Sequence, residues 1–113
     1  LTVITLNKEE LLKKLSTLIH FSIKSGVAVI GQNKLELKRF KDIGLILINS
    51  DISPNTERSL SAKIELGKII KIWAGSDIGE MAGRQGIKVM GFTNSELQRE
   101  ITRLIKTHEG TAQ

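Results

Sequence analysis

The sequence predicts an α/β domain, a sheet of about four strands held between helical layers. Three observations carry this. Short apolar runs at residues 27–30, 45–48, 69–73 and 87–92 alternate with amphipathic stretches along the whole chain. The connections between them are short and are marked by glycine, asparagine and a single proline. Leu45-Ile46-Leu47-Ile48 is apolar at every position, as suits a central strand covered by helices on both faces.

The first helix starts at Asn7, which forms a capping-box pattern with Glu10, and continues as the stripe Leu11, Leu15, Leu18, Ile19 until Ser25-Gly26 stops it. After the strand at 27–30, the tight turn Gly31-Gln32-Asn33 leads into a second helix over 33–41. Behind the strand at 45–48, Ser53 caps a third helix and Pro54 occupies its first position. That helix is expected to reach about Leu66, with Gly67 as a left-handed stop. A strand at 69–73 follows. Ser76-Asp77 opens a short fourth helix that Gly83 closes, and the strand at 87–92 comes next. Ser95, with Gln98 three residues on, caps a last helix that carries Leu97, Ile101, Leu104 and Ile105 on one face. Residues after Thr107 are expected to fray. Residues 1–6 alternate weakly and offer a further edge strand. Strand order cannot be read from periodicity.

A chain of 113 residues is expected to form one domain over 1–113, with 1–6 and 108–113 peripheral. A chain of this size buries roughly two-thirds of its unfolded surface, enough for a core without staples. There is no cysteine, which excludes a disulfide framework and cysteine-ligated metals. An apolar fraction of 40% argues against disorder. No apolar run is long enough to span a membrane, and no signal-peptide architecture opens the chain, so a soluble cytoplasmic protein is expected. The first residue is Leu1 rather than Met, which leaves room for residues upstream. The net charge of +5 fits a polyanionic partner, and the excess is concentrated: Lys24, Lys34, Lys38, Arg39 and Lys41 face the single acid Glu36.

Catalysis finds little support. His20 and His108 stand at no ligand spacing from other metal-binding side chains, no nucleophile-elbow pattern occurs, and the acids sit in first helical turns or on polar faces. No catalytic residue, metal or cofactor is therefore expected. Gly75, Gly79, Gly83 and Gly86 form neither a dinucleotide fingerprint nor a Walker loop. They fit close packing of a short helix on the sheet, or close approach of a ligand near Gly83-Arg84-Gln85-Gly86.

The turn Gly31-Gln32-Asn33 is the better candidate. A helix start offers backbone donors to a phosphate, and the Gln32 and Asn33 amides match base edges. Lys34, Lys38 and Lys41 would form one basic stripe behind them. Two plainer readings stand beside this one: Asn33 and Glu36 as a capping box, and the lysines as a solvated helix face. There is no tyrosine, and Phe21, Phe40, Trp73 and Phe92 fall in elements expected to build the core. A platform for stacked single-stranded bases is thus disfavoured, and structured RNA fits better.

Several stretches resemble the L-seven-Ae/L-thirty-e ribosomal protein superfamily, with the bacterial YlxQ type as the nearest branch. They are Phe21-Ser22-Ile23-Lys24-Ser25-Gly26 with Val29-Ile30-Gly31, the run from Leu45 through Asn49, Asp51 and Ser53 to Asn55-Thr56, and Ile78-Gly79-Glu80-Met81-Ala82-Gly83-Arg84. Their order and spacing, rather than any one motif, carry the resemblance, which spans roughly Leu11 to Ile105. It implies a three-layer α-β-α sandwich with a four-stranded mixed sheet, and binding of kink-turn RNA. By position, the contacts it implies are Gly31, Gln32, Asn33 and Lys34 at the first turn and Arg84 and Gln85 in the later loop, with Asp51 and Ser53 flanking. Lys38 joins them from the basic stripe. The resemblance also favours a binding loop framed by Gly83 and Gly86.

This chain departs from the pattern of strong kink-turn binders. Lys34 stands in place of a glutamate and Leu37 in place of a lysine; Lys38 points about 100° away around a helix. The later loop is shortened to Arg84-Gln85-Gly86. Non-catalytic binding of structured RNA, ribosomal or other, with weakened kink-turn specificity is therefore expected. Ribosomal proteins would be neighbours and no membrane is involved. The alternatives are a protein-interaction or scaffold module on the same fold, and a small-molecule site at the glycine loops.

Overall fold

The computed structural model describes residues 8–72 and 75–111. The elements run α1 (Lys8–Lys24), β1 (Ala28–Ile30), α2 (Gln32–Glu36), β2 (Ile43–Ile48), α3 (Pro54–Ser61), β3 (Ile69–Lys71), α4 (Ile78–Ala82), β4 (Val89–Thr93) and α5 (Glu96–Thr111). The four strands form one mixed sheet in the order β1-β4-β2-β3. β4 is antiparallel to both β1 and β2, and β2 is parallel to β3.

The apolar run of β2 is explained by two cores, one on each face of the sheet. Leu45 and Leu47 pack with Leu15 and Ile19 of α1, Ile78 of α4, and Ile101 and Ile105 of α5. Ile46 and Ile48 pack with Leu35 of α2 and Leu60 of α3. The result is the expected three-layer α-β-α sandwich. Gly44 interrupts the alternation: the register with β4 shifts between Ile43 and Leu45, and a Cβ at Gly44 would strike the Gln98 side chain. Gln98 is buried and donates from Nε2 to the Gly44 carbonyl at 3.3 Å.

Several helix ends behave as the sequence implies. Gly26 and Gly83 adopt φ of 78° and 71° where α1 and α4 stop. Ser53 Oγ accepts from the Thr56 N–H at 3.2 Å, and Ser95 Oγ accepts from the Gln98 N–H at 3.1 Å. Of Ser76-Asp77, the aspartate is the cap of α4, its Oδ1 accepting from the Gly79 N–H at 2.7 Å.

Other ends differ. The second helix covers Gln32–Glu36, not 33–41; its chain tightens at Leu37 N–H to Lys34 C=O and resumes as a 3-10 turn at Phe40–Asp42. Leu35 is the buried residue of this helix, and Leu37 is 86% exposed, so no second buried turn exists to extend it. α3 ends at Ser61 with Ala62 in right-handed conformation, and Gly67 lies in a 3-10 turn without a positive φ. The last helix continues to Thr111 rather than fraying at Thr107. Phe21, expected in the core, is 55% exposed; Phe92 is fully buried and Phe40 half-buried. The Asn7 cap, the segment 1–6 and Trp73 lie outside the described residues.

Candidate nucleic-acid interface

The strand directions decide what lies together. β1, β2 and β3 run the same way, and β4 runs against them. The C-terminal ends of β1 and β2 therefore meet the start of β4. Two hydrogen bonds close this edge: Gly31 N–H to the Val89 carbonyl at 3.1 Å, and Asn49 N–H to the Lys88 carbonyl at 3.0 Å. The turn at Gly31, the loop after β2 and the loop between α4 and β4 thus share one end of the sheet, although they are distant in sequence.

A groove of about 390 Å³ opens between these three loops. Gly31 and Gln32 line it from the first, Asp51, Ser53 and Thr56 from the second, and Gly86 and Lys88 from the third. Gly31 has φ of 88°, a conformation that only glycine adopts easily, and it caps α2 without any side-chain hydrogen bond. The capping box read for Asn33 and Glu36 is therefore not formed. Glu36 instead accepts from Gln32 Nε2 at 3.2 Å and lies 3.5 Å from Lys63 Nζ. Gln32 has its amide partly engaged, whereas Asn33 is exposed and makes no side-chain hydrogen bond with the described residues.

A second groove, of about 480 Å³, runs beside the first along β1, with Lys34, Leu37 and Lys38 on one side and Arg84 and Ile23 on the other. Asn33 and Arg84 are thus at the same end of the molecule, since Arg84 faces the neighbour of Asn33 across this groove. Arg84 is placed by the end of α4: its N–H donates to the Gly79 carbonyl at 2.7 Å, and a Cβ at Gly79 would collide with the Arg84 carbonyl. Gly79 therefore serves close approach of the loop, while Gly83 and Gly86, with φ of 71° and 81°, shape its turns. Gln85 is exposed and lines neither groove.

The charge pattern is uneven. Lys34, Lys38 and Arg84 form no ion pair among the described residues. Asp51, by contrast, lies 3.3 Å from Lys88 Nζ and neutralises it in part. The predicted stripe of Lys34, Lys38 and Lys41 is broken by the end of α2, but Lys34 and Lys38 still reach one groove. Ser53 is committed to capping α3 and also donates to Thr56 Oγ1 at 2.9 Å.

Two residues here have no site role in the sequence reading. Lys88 lies two residues after Gly86, and only the fold brings it to Asp51. Asn49 is 3% exposed; its Oδ1 accepts from the Ile78 N–H at 2.9 Å, tying the end of β2 to the start of α4. A polar residue ending an apolar strand was the available signal.

No protein-family model matches the chain, and no curated protein matches it. Among solved structures, it is similar to one described as a protein with unknown function from Bacillus halodurans C. The TM-score is 0.68 at 17% identity, covering 82% of this chain and 97% of that one. That likeness establishes the fold alone. Among the described residues no helix is long and apolar enough to cross a membrane, and no group of three His, Cys, Asp or Glu could hold a metal ion.

Proposed function

We propose that this chain is a non-catalytic RNA-binding domain that holds a structured, kink-turn-like RNA, ribosomal or other, in the cytoplasm. The observation that carries the reading is the meeting of Lys34, Lys38 and Arg84, without ion pairs among the described residues, beside exposed Asn33 at one end of the sheet. The resemblance to the L-seven-Ae/L-thirty-e superfamily points to the same loops. In this reading the lysines and Arg84 take phosphates, while Asn33 offers its free amide to a base edge. Gln32 contributes less, because Glu36 already holds its amide. Asp51 keeps Lys88 in place rather than meeting phosphate. The chain has only four aromatic side chains, and among the described residues Phe21 alone is exposed, which supports recognition by shape and phosphates rather than by stacking.

The reading is tested by titrating a kink-turn duplex in a gel-shift assay. Wild-type affinity should fall steeply as salt rises, because bound cations release counterions from the RNA. Asn33→Ala with Lys34→Ala should weaken binding by about tenfold or more at fixed salt, through loss of a charge-assisted contact and a base-edge contact. Unchanged affinity in that variant removes the site. A flat salt response favours the protein-interaction alternative.

A further inference from the structure

We propose that the free edge of β1 is a docking site for an extended acidic segment of another protein, which adds to the sheet as a strand. Among the described residues β1 is an edge strand, paired there with β4 alone. Its hydrogen bonds to β4 pass through alternate residues: Thr93 N–H bonds to Val27 C=O, Val29 faces Gly91, and Gly31 N–H bonds to Val89 C=O. In an antiparallel ladder the intervening residues turn their N–H and C=O groups the other way. Those residues are Ala28 and Ile30, and both line the outer groove, half-buried, with no hydrogen bond to any described residue on that side.

Each face of the groove carries an apolar side chain and a cation. Leu37, 86% exposed, stands on the α2 side with Lys34 and Lys38; Ile23 stands on the α1 side, with Arg84 beyond it. At one end a Cβ on Gly26 would meet nothing within 4 Å, so a strand can run past it. A strand supplies what this groove lacks: main-chain partners for Ala28 and Ile30, apolar contacts on alternating faces for Leu37 and Ile23, and carboxylates for the three cations. A second copy of this chain does not fit, because its own Lys34, Lys38 and Arg84 would be brought against these. An RNA strand could satisfy the cations but would leave the exposed Leu37 and the strand edge without matching groups. The acidic segment would engage the same Lys34, Lys38 and Arg84 that the RNA reading gives to phosphates, so peptide and RNA would exclude one another from this groove, while the strand pairing itself rests on the main chain of β1.

The test uses the full chain, labelled with nitrogen-15, and a blocked peptide with a Val-Ile-Val centre flanked by Asp and Glu. Binding should shift the Ala28 and Ile30 amides and slow their hydrogen exchange by about tenfold or more at saturation. N-methylation of the peptide on its β1-facing amides should weaken binding by about tenfold, as should replacing its acids with lysine. Ala28→Pro removes an outward N–H and should abolish binding in a chain with an unchanged circular dichroism spectrum. If that variant does not fold, the N-methylated peptide decides. Equal affinity for the methylated peptide, or unchanged exchange at Ala28 and Ile30, overturns the proposal. So does slowing of those amides by a kink-turn duplex but not by the peptide, which would assign the groove to RNA.

Discussion

Lys34→Ala combined with Arg84→Ala should weaken binding of a kink-turn duplex by about a hundredfold or more. Each side chain removed takes away a charge-assisted hydrogen bond worth about 1.5–3 kcal/mol, roughly tenfold or more in affinity. The two come from separate elements, α2 and the loop after α4, yet face one groove. The plot of log affinity against log salt should also become shallower by about one unit per cation. Lys13→Ala with Lys106→Ala removes the same charge from exposed positions that line neither groove, and should leave the slope close to wild type. A similar loss in both variants would mean that net charge, rather than this surface, attracts the RNA.

Asn49→Ala should cost about 1–3 kcal/mol of stability, read as a lower urea midpoint with an unchanged slope. The Asn49 side chain is the acceptor for the buried Ile78 N–H, and alanine leaves that donor without its partner. Its main chain also bonds to Lys88 C=O and accepts from Ile52 N–H, so the residue sits where three loops are joined. Asn55→Ala is the contrast. That side chain is exposed and only accepts from Arg58, so its loss should change stability by about 0.5 kcal/mol or less. RNA affinity should fall in Asn49→Ala and not in Asn55→Ala, because only the first loosens the loops that form the surface.

The layered α/β fold was legible because its strongest signals are local. An all-apolar β2 demands cover on both faces, and Gly26, Gly83, Ser53 and Ser95 mark helix ends by their own chemistry. Strand order was not legible, since β4 inserts between β1 and β2 through contacts far apart in sequence. The second helix is shorter than its spacing implies for a related reason. The lysine spacing looked helical, but Leu35 alone anchors that turn, its side chain seated where a Cβ on Gly91 of β4 would lie. The capping box does not form because Gly31 is the cap of α2 and Asn33 already lies inside the helix, which leaves Glu36 to Gln32 and Lys63.

At the candidate site, Gly31, Asn33 and Lys34 stand out in the sequence because a turn, an amide and a cation carry their meaning locally, whereas Arg84 is pointed to by the resemblance. What they meet does not stand out there. The pairing of Asp51 with Lys88, and the bond from Asn49 to Ile78, exist only once the strands are aligned.

The central idea is that two loops, separated by half the chain, act together on one RNA. Amide chemical-shift mapping of the labelled protein against a kink-turn duplex reads this residue by residue. Perturbations should gather at Gly31, Gln32, Asn33 and Lys34 and again at Arg84, Gly86 and Lys88, saturating with one affinity. Shifts confined to one of these loops, or centred on α5, which lines neither groove, would contradict it.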